Sequence, residues 1–235
     1  DVDLRGRTVV DRVRLLSSTR GQGVIIQTYD FSLSCEGTTF YEGWASFGYF
    51  PLAALRRQVG LDSASSSNEA DVWLRWDQAR PIPLDRGLAG GQLTPTSECR
   101  VWSGDQDDKL PVLLLHGIVN PQDWYFRNHF YQDPVMPGSL GVEAAMQALL
   151  AYGRWRYPAL TQAKVRHAYN HEIEWKYRGQ ITPEDFEWRE AIFLDHVERD
   201  ANGVTVVGDV IVWKGELAVY RITGVGIRLK MEDRW

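Results

Sequence analysis

Only two cysteines, Cys35 and Cys99, occur in 235 residues. A disulfide framework needs more of them and nothing else suggests secretion, so both read as free thiols. There is no run of 18 apolar residues and no signal peptide, so no membrane span is expected and the expected location is the cytoplasm. The net charge is −5 and no cluster of Lys and Arg appears, which excludes the phosphate-neutralising surface of a nucleic-acid binder. Histidines are few. Two of them, His167 and His171, sit four apart, but the glutamate that a metalloprotease needs after the first is missing, so no metal site is expected. His116 and His196 are expected in strands, with no role assigned.

What is present suits a water-soluble enzyme fragment: 44% hydrophobic and 24% charged residues, enough for one large domain or two small ones with a true core. Asp1 stands where an initiator Met would, and the expectation is a piece cut from a longer polypeptide.

The two ends of the chain read alike. Residues 8–19, 23–35 and 38–50 are rich in β-branched and aromatic residues and are separated by short glycine-containing turns, predicting a three-stranded antiparallel meander. Residues 186–198, 203–214 and 216–230 predict a second one. Matching Arg5-Gly6 to Arg178-Gly179 gives an offset of 173, and matching Gly37 to Gly215 gives 178. A repeat of that length points to two copies of one sheet unit, only the second complete. The expected organisation is therefore a partial, non-catalytic unit over 1–50, a helix and linker over 51–92, and a complete unit over 93–235. Within the middle segment, Leu52, Leu55 and Val59 recur at helical spacing. Residues 63–71, SASSSNEAD, read as a polar linker, and residues 71–76, DVWLRW, alternate well enough for a strand. A proline- and glycine-rich connection follows. Residues 97–102 and 111–119 are the strands expected to lead to His129.

The stretch 124–157 concentrates the chemistry. Pro134 and Pro137 fix φ and turn the chain, and Gly138 lets the backbone pass close to whatever enters. A helix is predicted from 139 to 157, apolar on every face except for Glu143 and Gln147, one turn apart. A carboxylate on so apolar a helix loses solvation, which favours its protonated, proton-donating form. The helix start at Gly138 and Ser139 offers unpaired N–H groups suited to polarising a carbonyl. His129 lies just upstream among Trp124, Tyr125, Phe126, Phe130 and Tyr131, an aromatic run that suits either an acyl tunnel or core packing. Base, acid and oxyanion donor together are what removal of a proton beside a carbonyl and expulsion of a β-hydroxyl require.

The motif HFYQDPVMPGSLGVEAAMQ, His129 to Gln147, resembles the active-site signature of the β-hydroxyacyl-acyl carrier protein dehydratases of the hotdog fold. The phrasing VNPQDWYFRNHFYQDPVMPGSLGVEA and EIEWKYRGQITP is most similar to dehydratase domains of polyunsaturated fatty acid synthases and polyketide-type megasynthases. The resemblance implies an α+β hotdog, with the repeat a double hotdog whose first unit is partial, in which a long antiparallel sheet wraps a central helix. It implies a lyase converting a 3-hydroxyacyl thioester on an acyl carrier protein into a 2-enoyl thioester, with no metal or organic cofactor. By position His129 is then the base, Glu143 the acid, Gly138 the amide donor to the thioester carbonyl, and Gln147 the residue orienting the carboxylate. Phe130, Val135 and Ser139 stand beside them at the oxyanion and substrate site. Members that also isomerise the double bond often carry Asp where this chain has Glu143, so dehydration is implied and isomerisation is not. The implied partners are the phosphopantetheine-linked acyl chain of a carrier protein, neighbouring synthase domains, and a second hotdog unit, by homodimerisation or pairing. An acidic carrier has one local landing patch, Arg154, Arg156, Lys164 and Arg166, whose plainer reading is a solvated face. An isomerising dehydratase, a hotdog thioesterase and a non-catalytic acyl-binding or scaffolding module are the competing readings.

Overall fold

The computed structural model describes residues 4–61, 67–84, 97–103, 110–168 and 172–231. The chain divides into two compact units, residues 1–58 and 59–235.

The first unit is a three-stranded antiparallel sheet of β1 (Val9–Gly21), β2 (Val24–Cys35) and β3 (Thr38–Tyr49), in the order β1-β2-β3. Gln22-Gly23 and Glu36-Gly37 make its two tight turns. All four residues have positive φ, the backbone that joins twisted antiparallel strands. A four-residue helix, α1 (Leu52–Leu55), follows, so the helical spacing that runs on to Val59 is realised for one turn only.

The second unit is built on an eight-stranded antiparallel sheet. It contains β4 (Arg80–Ile82), β5 (Glu98–Trp102), β6 (Val112–Ile118), β7 (Lys164–His167), β8 (Glu174–Tyr177), β9 (Glu187–Asp200), β10 (Gly203–Lys214) and β11 (Leu217–Lys230). The order is β4-β5-β6-β9-β10-β11-β7, with β8 also paired to β11. Two short helices, α2 (Ser67–Ala70) and α3 (Trp124–Asn128), and the long α4 (Gly138–Arg156) complete it. His116 and His196 lie in β6 and β9, as expected.

This sheet is buried on both faces. Alternation puts Leu113 and Leu115 of β6 on one side and Val112 and Leu114 on the other. The first side receives α4, whose Ala144, Ala145, Ala148, Leu149 and Leu150 are fully buried against strands β9 to β11. Small residues let the helix lie close to the sheet, while each buried leucine contributes about 1.5–3 kcal/mol by removal from water. Leu149→Ala, with no room to collapse, would cost about 2–5 kcal/mol. The central helix thus starts at Gly138, one residue before the expected start, and runs 19 residues. An α+β fold with a long antiparallel sheet and a central long helix is the hotdog-like arrangement.

The second side corrects the sequence reading of residues 71–76. They are a 3₁₀-helix, Asp71–Gln78, not a strand. The apparent alternation came from Val72, Leu74 and Trp76, whereas Trp73 and Trp76 stand three apart, which in a 3₁₀ turn puts both on one face. Their rings are 5.9 Å apart; Trp73 also meets Trp213 edge-on at 5.8 Å and Trp76 meets His116 at 6.1 Å. Packing three indoles on the back of the sheet outweighs a weak strand propensity. Most of the proline- and glycine-rich connection, residues 85–96, lies outside the described residues, as does His171. Among the described residues no helix is long and apolar enough to cross a membrane.

Candidate active site

The chain between α3 and α4 is short and tightly tied. His129 caps α3, its N–H donating to the Tyr125 carbonyl at 2.8 Å. The backbone then turns through Gln132, which has φ +62°, and buries Val135, Met136 and Pro137. Met136 N–H donates to Ile181 O at 2.8 Å, fixing this turn to the segment that leads into β9. Ile181 N–H in turn donates to the Tyr220 hydroxyl, whose acidity burial already suppresses.

The turn orients the histidine. His129 Nδ1 lies 3.0 Å from Val135 O. A carbonyl only accepts, so Nδ1 carries a proton, and in the tautomer this bond selects the lone pair is on Nε2. The ring is half-buried and stacks on Phe130 with centroids 4.1 Å apart. The aromatic run around it divides. Tyr125 and Phe126 enter the core, whereas Trp124, Phe130 and Tyr131 remain exposed. Tyr125 also donates to Asp123 at 2.8 Å, and burial followed by that bond raises its pKa.

On α4, Glu143 and Gln147 meet one turn apart: Gln147 Nε2 donates to Glu143 Oε1 at 2.8 Å. Gln147 is fully buried and Glu143 half-buried. Gly138 and Ser139 open the helix, where N–H groups have no intrahelical acceptor. A Cβ on Gly138 would collide with the ring of Tyr177 on β8, so any side chain there must displace that ring. Burial pushes the Tyr177 phenol up to about 12, keeping it protonated. Ser139 is exposed and makes no capping bond. His129 and Glu143 are not hydrogen-bonded to each other among the described residues. Val135 thus contributes its carbonyl to His129, Phe130 its ring, and Gln147 its amide to Glu143.

Sequence reasoning missed one carboxyl. Glu190 on β9 is fully buried, and neither side-chain oxygen has a hydrogen-bond partner among the described residues. Its Oε2 lies 3.8 Å from where a Cβ of Gly141 would stand, beneath the first turn of α4. Desolvation raises its pKa well above the usual carboxyl range, so it is held neutral. The same burial, with Glu190 as a secondary cause, raises the Cys99 thiol to about 12. Strand parity could have flagged it: Trp188, Glu190, Ile192 and Leu194 occupy one face, and the acid stands in an apolar series. Among the described residues no group of three or more His, Cys, Asp or Glu could hold a metal ion.

An antiparallel sheet packed on a glycine-started helix, with a histidine in the turn before it and a carboxylate one turn inside it, is a hotdog-like arrangement. Residues 113–223, just under half of the chain, match the family model described as the FabA-like domain. The chain is also 30% identical to one subunit of the polyunsaturated fatty acid synthase of Thraustochytrium sp., over an alignment taking in 97% of this chain and 17% of that relative. The chain therefore spans only about a sixth of the relative's length. Among solved structures, an acyl-CoA thioesterase II from Mycobacterium marinum is similar at 12% identity and a TM-score of 0.45, covering 97% of this chain and 76% of that one. AziG from S. sahachiroi is similar at 13% identity and a TM-score of 0.36, covering 51% and 85%.

Proposed function

We propose that the chain is the dehydratase part of a polyunsaturated fatty acid or polyketide-type synthase, removing water from a 3-hydroxyacyl thioester carried on the phosphopantetheine arm of an acyl carrier protein. The observation that carries this reading is the His129 Nδ1 to Val135 carbonyl bond, which reserves Nε2 as a base. His129 Nε2 takes the C2 proton, and the electron pair left behind moves toward the thioester carbonyl, whose oxygen the Gly138 N–H stabilises. As the C2–C3 double bond forms, the C3–O bond breaks and Glu143 supplies the proton that makes the leaving hydroxyl water. Gln147 holds Glu143 through Oε1 and leaves Oε2 for that step. No metal or organic cofactor enters this sequence.

The site is shared between two hotdog units, through a homodimer or a neighbouring module, with His129 of one facing Glu143 of the other. The test is to supply a 3-hydroxyacyl pantetheine thioester and follow the ultraviolet absorbance of the conjugated enoyl thioester. Its appearance supports the reading, and its absence from a folded chain that is dimeric or paired with a second hotdog unit overturns it. Hydrolysis of the thioester is the second reading, because a carboxylate fixed by an amide on the central helix can equally activate a water.

A further inference from the structure

Strand pairing lines up one row of side chains beneath the start of α4. Running from β5 to β8, Cys99 pairs with Leu115, Leu115 with Glu190, Glu190 with Val212, Val212 with Tyr220 and Tyr220 with Tyr177. Directly paired residues point to the same face of an antiparallel sheet, and Cys99, Leu115, Val212 and Tyr220 all lie in the core that α4 covers. The helix crosses this row on two glycines three apart, which share one helical face. Gly141 sits over Glu190, Val212 and Tyr220, each 3.8 Å from where its Cβ would stand, and Gly138 sits over Tyr177. The row thus ends with a phenol against the first residue of α4.

Packing accounts for the ring of Tyr177 but not for its hydroxyl. The ring meets Tyr220 edge-on, with centroids 4.7 Å apart, and fills the space over Gly138, which a phenylalanine would do equally well. Tyr125 donates to Asp123, and the Tyr220 oxygen accepts from the Ile181 N–H. The Tyr177 hydroxyl has no hydrogen-bond partner among the described residues. Its oxygen is 2.5 Å from where a Gly138 Cβ would stand, so it lies beside the Gly138 backbone. The Gly138 N–H, at the first position of the helix, is also without a partner among the described residues. Tyr177 is 38% exposed, so this corner is open to a ligand. Two unsatisfied donors side by side at an open point suit a single oxygen acceptor.

We propose that Tyr177 is a further catalytic residue, its hydroxyl donating to the thioester carbonyl oxygen alongside the Gly138 N–H. The inference rests on the dehydratase reading given above. As the C2 proton leaves for His129, the electron pair moves into the C1–C2 bond and negative charge collects on that oxygen. Tyr177 keeps its proton and tightens its hydrogen bond; the charge flows back as the C3–O bond breaks. Burial raises the phenol to about 12, so the donor is present at every pH near neutrality. The rest of the row does not oppose it. Glu190, the one carboxyl there, is fully buried and held neutral, so no fixed negative charge stands beneath the turn where the oxygen gains charge.

The test compares the wild type with Tyr177→Phe, which keeps the ring over Gly138 and removes only the hydroxyl, each in its dimeric or paired form. With a 3-hydroxyacyl pantetheine thioester, kcat is expected to fall by about 10², with KM and the thermal midpoint near the wild-type values, because the bond tightens only as the oxygen gains charge. A second readout needs no turnover. It is the infrared carbonyl stretch of a bound saturated acyl pantetheine ketone, in which CH₂ replaces the thioester sulfur and the carbonyl carbon is isotope-labelled. This ligand can neither lose water nor be hydrolysed. Its stretch is expected at lower frequency on the wild type than on Tyr177→Phe, and lower still on Tyr177→3-fluorotyrosine, a stronger donor of nearly the same shape. An unchanged kcat, or equal stretches on the wild type and Tyr177→Phe, overturns the inference, as does a ketone that does not bind. A wild type that forms no enoyl thioester removes the dehydratase reading instead, and the stretch then decides on Tyr177 alone. If Tyr177→Phe does not fold, the fluorotyrosine comparison decides, and an unshifted stretch overturns the inference.

Discussion

Glu143 and Gln147 are locked together across one turn of α4, with the amide of the fully buried Gln147 donating to Oε1 at 2.8 Å. That bond fixes the carboxyl plane and leaves one oxygen for chemistry. Glu143→Gln keeps the shape and removes the transferable proton, so turnover is expected to fall by about 10² to 10⁴ with the thermal midpoint nearly unchanged. A rate equal to wild type would remove Glu143 from the mechanism.

Gly138 is expected to reveal its collision by a double mutant. In an exposed helix Gly→Ala gains about 1 kcal/mol, whereas here the new methyl meets the Tyr177 ring. Gly138→Ala alone is expected to lower stability and activity, and Gly138→Ala with Tyr177→Ala to recover stability beyond the sum of the single changes. Additive losses in urea unfolding would show that Tyr177 is not what excludes a side chain there.

Glu190 makes a pH-dependent prediction. Its folded pKa is raised by desolvation above the unfolded value of about 4.3, so the folded state holds a proton that the unfolded state releases. Its burial is then least costly below the unfolded pKa, and stability is lost as pH rises from there toward the folded pKa. Relative to Glu190→Gln, the wild type is expected to lose about 1.4 kcal/mol per pH unit within that window. Parallel stability curves for the two proteins from about pH 5 to 7, above the unfolded carboxyl pKa, would mean that Glu190 is not held neutral.

The shared site is tested by mixing. His129→Ala and Glu143→Gln chains, each inactive, are expected to recover about a quarter of wild-type activity when subunits exchange at random in a two-fold dimer, because half the dimers are mixed and each has one intact site. Exchange without recovery would place both residues in one chain.

Much of this was legible in the sequence. The six long strands follow from period-two alternation between glycine-bearing turns, and α4 from an apolar run broken only by Glu143 and Gln147. Residues 71–78 were not, because Val72, Leu74 and Trp76 alternate as a strand would, and only tertiary contact of Trp73 with Trp213 decides for the 3₁₀ turn. Glu190 was hidden by its surroundings: an acid between arginine and alanine looks solvated until the strand's parity is known. Tyr177 was hidden because its partner, Gly138, is distant in sequence and lies on another element.

The most direct test of the central claim is the mass of the product formed from a 3-hydroxyacyl carrier-protein thioester by the wild type and by His129→Ala. The account predicts that the wild type yields the thioester lighter by one water, still attached to the carrier, and that His129→Ala returns the substrate unchanged while binding it near normally. Release of free acid by the wild type, or an unaltered product with His129→Ala, would contradict it.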